Sequence, residues 1–325
     1  MSGEIIASFI ERMNTLGASG EPFLFIIDAG MKKPEIHKLN DIPAGIKYAT
    51  PLTSNSPDGQ MYSKSISLKK APVSFEKYSN AFLNVMKNIR QGNTYLLNLT
   101  FPTRIECNLT LEEIFRISVA KYKLLYYNTF VVFSPEIFVR IKDGMISSFP
   151  MKGTIDASVP HAREAILNDE KETAEHNTIV DLIRNDLSIV SNNVRVSRYR
   201  YVESLRTSEN ELLQVSSEIT GELQPGYERR LGDIITGMLP AGSVTGAPKK
   251  RTVEIIEESE QYNRDWYTGV FGVFNGEQLD SAVMIRFIER DDKGLIYKSG
   301  GGITYMSDPA REYEEMIAKV YLPVG

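Results

Sequence analysis

An α+β fold is predicted by three features of the chain. Some segments carry apolar residues at helical spacing, and others are short apolar runs bounded by turn dipeptides. The two kinds of segment are mixed without the regular strand–helix alternation of a parallel sheet. In chain order, Ile5, Ile6, Phe9, Ile10 and Met13 fall on one helical face, with Glu4 and Glu11 among them. Asn55 to Gln60 (Asn-Ser-Pro-Asp-Gly-Gln) reads as a loop that divides a short N-terminal region from the rest. We assign residues 1–70 to that region, as part of the same fold, and residues 71–325 to the main domain. A helix starts at Ser74, with Phe75, Tyr78, Phe82, Val85, Met86 and Ile89 on one face, and Gly92 ends it. Thr110 and Glu113 form a capping box ahead of Ile114, Phe115 and Ile117. Asp143-Gly144, between Phe138–Ile141 and Met145–Phe149, is a strong hairpin signal. A further helix runs from Asp169 to Val190. Asn275-Gly276 and Lys293-Gly294 divide Tyr267 to Thr304 into a three-strand meander. Ser307-Asp308-Pro309 opens the last helix, a capping side chain followed by a proline in the first turn.

Composition narrows the function. With 325 residues, 42% hydrophobic and 24% charged, the chain suits one large soluble domain or two small ones. Its net charge of −5, from 37 basic and 42 acidic residues, offers no basic surface to nucleic acid, so small molecules and proteins are the expected partners. Cys107 is the only cysteine, which excludes an intrachain disulfide and a thiolate metal site. No run approaches the roughly 18 apolar residues of a membrane span. The N-terminus lacks the basic start and continuous apolar run of a signal peptide, and a cytoplasmic location is expected.

Several residues could carry chemistry. Glu172 and Glu175 are three apart on one helix, and Glu312, Glu315 and Lys319 form a stripe on another. Converging carboxylates would need a neutralising cation, and an all-oxygen set suits Mg²⁺; the same spacing also serves a solvated helix face. Arg286 lies in the apolar run Ala282–Ile288, where a bound carboxylate or a structural ion pair would balance its charge. Gly300-Gly301-Gly302, following the third strand of the meander, lets backbone approach a ligand, as it would also allow a bulge or tight turn. Ser243 to Lys249 reads as a loop entering a helix at Pro248, whose N-terminus could face an anion or simply begin a helix. Lys152 follows the hairpin in Pro150-Met151-Lys152-Gly153-Thr154; solvated lysines are common there, and a nucleophilic one must first lose its proton.

Together these segments resemble the chorismate-utilising enzymes, from about Phe75 to Lys319. The resemblance rests on Ser134-Pro135-Glu136, Pro150 to Thr154, Asp169 to Glu172 and Ala174-Glu175-His176. It continues through Asp181 to Leu187, Thr245-Gly246-Ala247-Pro248-Lys249, Ile285-Arg286, the three glycines and Glu312-Tyr313-Glu314-Glu315. It implies antiparallel sheets packed as a sandwich with helices outside, like the anthranilate synthase component I fold. The active site would lie in a cleft between the halves, with residues 71–325 as the chorismate-binding catalytic domain. By match, Glu175 and Glu315 would ligate Mg²⁺, with Glu172 and Glu312 nearby, and the metal would hold the ring carboxylate. Arg286, Tyr267, Gly301 and Gly302 match the enolpyruvyl-carboxylate pocket. Lys319, Thr154 and Thr245 match further substrate-binding positions.

Lysine at position 152 is the pattern of the members that form aminodeoxychorismate on the route to folate; anthranilate-forming members carry alanine there. The resemblance implies attack by Lys152 on C2 of chorismate, with Glu136 as general acid and base for the departing C4 hydroxyl. Cys107 stands in no glutaminase-like setting, so a separate glutamine amidotransferase subunit is expected to deliver ammonia. Gln214 replaces a histidine usual near the C4 hydroxyl, and Leu96 replaces a glutamine of the amino-transferring members or a lysine of the water-using ones. The N-terminal region is short for the family and lacks the segment associated with a tryptophan pocket. Anthranilate synthesis, or a chorismate-binding subunit with little catalysis of its own, are the alternatives.

Overall fold

The computed structural model describes residues 2–56, 65–206 and 211–324. Side-chain alternation within its strands shows how the layers stack. All five residues of the strand Phe23–Ile27 are buried. Successive side chains of a strand point to opposite faces, so this strand is covered on both sides. Phe23, Phe25 and Ile27 pack toward the helices Ser2–Ala18, Glu170–Val190 and Leu231–Gly237, through Phe9, Met13, Ile183, Leu187 and Ile234. Leu24 and Ile26 face a second sheet, where Tyr122, Leu124, Phe130, Val132 and Phe287 fill the space between the sheets. The outer face of that second sheet is covered by the helices Phe75–Arg90, Lys249–Glu260 and Pro309–Ala318, through Phe82, Val85, Ile255 and Met316, and by Leu111–Ile117. The layers therefore run helices, sheet, sheet, helices, as the α+β sandwich expectation has it.

One sheet has nine strands and the other eight, and pairing is antiparallel throughout the described residues. The N-terminal residues are woven into both. Phe23–Ile27 pairs with Val270–Phe274 in the larger sheet, whereas Ile46–Ala49 pairs with Tyr122–Tyr126 in the smaller. Of the expected 55–60 loop, Asn55 binds the Tyr48 amide at 2.8 Å and the Ile46 carbonyl at 2.9 Å; residues 57–60 lie outside the described residues.

Local signals correspond closely to local structure. Ser74 caps the Phe75–Arg90 helix by accepting from the Lys77 amide, and the Thr110–Glu113 box is present in both directions. Asp169 accepts from the Glu172 amide at 2.8 Å, and Asp308 from those of Ala310 and Arg311. Asp143 and Gly144 take φ of 50° and 75°, as a tight hairpin between twisted strands requires.

The meander differs from its expectation. Residues 267–304 contain two hairpins in different sheets. Val270–Phe274 and Leu279–Val283 belong to the larger sheet, Phe287–Asp291 and Gly294–Ile303 to the smaller. Arg286 therefore stands at a crossover, with φ of 53°, and not inside one apolar strand. The run is apolar because Ala282, Met284 and Phe287 all enter the space between the sheets, so hydropathy carries no mark of the handover. Gly300 to Gly302 lie within the last strand and do not follow it. No helix of the described residues is long and apolar enough to cross a membrane.

Candidate active site

The chain passes between the sheets at two adjacent points, and a cavity of about 510 Å³ opens beside them. Glu136 stands on the crossover from Phe130–Ser134 to Ile137–Lys142, and Arg286 on that from Leu279–Val283 to Phe287–Asp291. Reciprocal backbone bonds lace them together: the Val283 amide donates to the Glu136 carbonyl at 3.1 Å, and the Phe133 amide to the Arg286 carbonyl at 3.2 Å. Both side chains line the cavity. Tyr267, 3% exposed, joins them from the turn before Val270–Phe274.

Two capped helices supply acids. The Asp169 cap places Glu172 and Glu175 on the first turns of Glu170–Val190, and the Asp308 cap does the same for Glu312 and Glu315 on Pro309–Ala318. All four line the cavity. Lys152, from the strand Met151–Asp156, donates from Nζ to Glu175 Oε2 at 2.5 Å. Lys319 pairs with Glu315 Oε1 at 2.6 Å and donates to the Gly300 carbonyl at 2.9 Å. The floor is glycine. A Cβ on Gly300 would meet the Leu99 carbonyl at 2.2 Å, so the neighbouring strand demands that glycine. A Cβ on Gly301 would stand 3.5 Å from Glu312 Oε2 and 3.6 Å from both Glu315 Oε1 and Lys319 Nζ, so bare backbone is what leaves the charged groups open space.

Charge balance differs from group to group. Burial pulls Lys152 toward the neutral amine, but Glu175, then Glu172 and Glu315, outweigh it and raise its pKa above the usual 10.5. Lys319 is shifted the other way: burial, with Arg286 and Lys152 nearby, outweighs Glu315 and favours the neutral amine. Burial raises the Glu136 carboxyl above its ordinary value of 4.5, against the Ser243 hydroxyl that donates to it and the cations Arg286 and Lys319. Arg286 donates to the Tyr321 hydroxyl at 3.3 Å, and its guanidinium lies 5.2 Å from the centre of that ring. A carboxyl whose pKa burial raises, an amine with an adjacent carboxylate, and a guanidinium that could meet a carboxylate share one cavity.

Thr245 is placed differently from the other candidates. It is 4% exposed, donates to the Ala241 carbonyl at 2.9 Å and is not part of the cavity wall, which Ser243 and Val244 form instead. The Thr154 side chain lies outside the described residues; its backbone pairs with Gln214, which does face the cavity. Leu96 is buried in the core and is not part of the wall. Sequence reasoning does not single out Ser243, Asn98 and Lys298 as wall residues. Ser243 stands in the segment 243–249, but spacing alone does not tell which hydroxyl of Ser243-Val244-Thr245 turns toward Glu136.

The carboxylate set suits a hard cation in chemistry but only partly in arrangement. Among the described residues no three His, Cys, Asp or Glu side chains gather closely enough to hold a metal ion by themselves. Mg²⁺ commonly takes one or two carboxylates and completes its shell with water and substrate oxygens, and the facing pairs fit that role.

Comparison with known proteins agrees with this geometry. The family model of chorismate binding enzymes matches residues 28–324. An uncharacterised PabA-like protein of Pasteurella multocida is 48% identical over 98% of this chain and 99% of its own length. The aminodeoxychorismate synthase component 1 of Bacillus subtilis is 32% identical over 77% of this chain, which spans 55% of that relative. The solved anthranilate synthase component I of Streptococcus pneumoniae superposes with a TM-score of 0.65 at 27% identity, covering 86% of this chain and 62% of that one. With its sandwich fold, its crossover-laced cavity and a match over nearly its whole length, the chain belongs to the chorismate-binding enzyme family.

Proposed function

We propose that the chain converts chorismate and ammonia to 4-amino-4-deoxychorismate in the cytoplasm, on the route to para-aminobenzoate and folate. The observation that carries this reading is Lys152 Nζ inside the cavity, beside Glu175 and in the same enclosure as Glu136, whose carboxyl is shifted toward the protonated form. Lys152 must first release a proton, which leaves Nζ to solvent once its contact with Glu175 Oε2, 2.5 Å away, is broken. The neutral amine then bonds to C2 of chorismate as the C4–O bond breaks, and Glu136 protonates the hydroxyl so that it departs as water. Ammonia next bonds to C4 as the C2–Nζ bond breaks, and its spare proton returns to Glu136. Atoms balance: chorismate and ammonia give the amino product and water. Splitting one displacement into two allylic ones lets a single positioned amine serve both.

Arg286 and Lys319 would meet the substrate carboxylates, with Tyr267 and the glycine floor shaping the pocket around the enolpyruvyl arm. Glu175 and Glu315 would hold Mg²⁺, with Glu172 and Glu312 acting through water or substrate; the ion would neutralise the ring carboxylate. A glutamine amidotransferase subunit would supply the ammonia. The Lys152–Glu175 pair also favours a second reading, a subunit that binds chorismate and converts it little, because a lysine held protonated does not attack.

A product assay on the purified chain with chorismate, Mg²⁺ and ammonium, resolved by mass spectrometry, separates these readings. Aminodeoxychorismate from the wild type and none from Lys152→Ala is the expected result. Anthranilate as product, or wild-type turnover by the variant, would overturn the role given to Lys152. Chorismate that binds but is left unchanged, with the amidotransferase subunit present as well, would favour the binding subunit.

A further inference from the structure

A second, much smaller cavity of about 20 Å³ adjoins Glu136 and shares Glu136, Pro150 and Ser243 with the larger one. That is room for about one water molecule. Asp186, from the segment Asp181–Leu187, for which the proposed chemistry has no use, also lines it. Asp186 Oδ1 is 2.8 Å from Lys249 Nζ, with the two side chains only 10% and 22% exposed. Lys249 Nζ also donates to the Met238 carbonyl at 2.6 Å, and Asp186 accepts from the Gly242 amide. The segment 238–249 is thereby tied to Asp186 of the Glu170–Val190 helix at Gly242 and at Lys249, and Lys249 ties its two ends together through the Met238 carbonyl. The fit between them is tight: a Cβ on Gly242 would stand 1.8 Å from Leu182 Cδ2 and 2.7 Å from Asp186 Oδ2. The next residue, Ser243, donates its hydroxyl to Glu136 Oε1.

We propose that Asp186 and Lys249 are positioning residues for Glu136, acting through Gly242 and Ser243. The inference rests on the reading of Glu136 as the acid of the reaction, but its geometric part stands without it. The pair touches no wall of the larger cavity. It fixes the height of Gly242 over the helix, and so where the Ser243 hydroxyl meets the carboxyl. Ser243, Arg286 and Lys319 face Glu136 and favour its charged form, and the neutral Tyr267 hydroxyl shares the cavity with it. Loss of the Ser243 contact therefore moves Glu136 toward the protonated form.

The test uses Asp186→Asn/Lys249→Met in the full chain. Removing one partner of a buried pair strands a charge, whereas removing both leaves none. The double variant is expected to regain most of the melting temperature lost by Asp186→Asn alone. Its kcat for chorismate consumption, whatever the product, stays about 10- to 100-fold down with KM nearly unchanged. The pH limb set by Glu136 moves upward. The infrared carbonyl band of protonated Glu136, assigned with Glu136→Gln, shifts and persists to higher pH. Lys249→Arg should restore both the rate and the band. If the double variant does not fold, Lys249→Met supplies the same readouts at mildly acidic pH, where Asp186, its pKa already raised by burial, can take up a proton and leave no stranded charge. A band and a pH limb left at their wild-type positions, with only stability changed, would overturn the proposal. Because the band is read without turnover, it decides the positioning role even where the proposed reaction fails.

Discussion

Glu175→Gln should turn Lys152 from a group that keeps its proton into one that gives it up. In the wild type the Nζ–Oε2 separation is 2.5 Å. At an effective dielectric of about 20, unit charges that close attract by about 6–7 kcal/mol before any desolvation is subtracted. Burial is the largest single influence on Lys152 and acts to lower its pKa, yet Glu175, with weaker help from Glu172 and Glu315, carries it above 10.5. The amide introduced by the substitution would still accept a hydrogen bond but supplies no charge, so burial prevails and the midpoint falls below 10.5. The measurement is an NMR titration of isotopically labelled lysine without added divalent cation, the Lys152 resonance being assigned with Lys152→Ala. A midpoint that stays above 10.5 in Glu175→Gln would refute the reasoning, because distant carboxylates would then suffice. Stability follows with a definite sign. A cation whose pKa is raised on folding stabilises the fold fully below its unfolded value and loses that contribution as pH climbs through the folded one. The Lys152–Glu175 contribution therefore persists through neutral and mildly alkaline pH and is lost only above 10.5.

Glu315→Gln should weaken Mg²⁺-dependent chorismate binding, measured by calorimetry at several metal concentrations; an unchanged metal dependence would contradict its place as a ligand. Gly242→Ala should destabilise the fold by about 1–3 kcal/mol or more in urea denaturation, since the new methyl would stand 1.8 Å from Leu182 Cδ2. Leu182→Ala in the same chain should recover part of that loss, and additive effects would show that the contact is not the cause. Glu136→Gln should abolish the limb of the pH–rate profile along which activity falls as this acid deprotonates, because burial holds the carboxyl protonated above the usual 4.5. Survival of that limb in the variant would assign it to another group.

Much of the molecule is legible in the sequence. Asp169, Asp308, Ser74 and the Thr110–Glu113 box each bond to an amide two or three residues away, so the sequence carries the whole of each interaction. The same holds for Asp143-Gly144, whose positive φ values are a property of the dipeptide. Spacing shows that Glu172 with Glu175, and Glu312 with Glu315, share helix faces. Only the matching motifs, taken together, put those faces in one site.

What the sequence determined by itself, then, is whatever acts over one helical turn or one hairpin, together with membership of a family through motifs in order. What only the tertiary structure decided is which of those groups meet. Glu136 and Ser243 are separated by 107 residues, and Asn98 and Val244 by 146, so no local pattern announces either contact. The sheet crossover at Arg286 is hidden for a related reason: a residue between two sheets is buried whichever sheet its strand joins, and the apolar run Ala282–Ile288 reads the same either way. Lys152 joins the two kinds of information. Its identity is plain in the sequence, but its proton affinity depends on Glu175, which a separate helix holds 2.5 Å away.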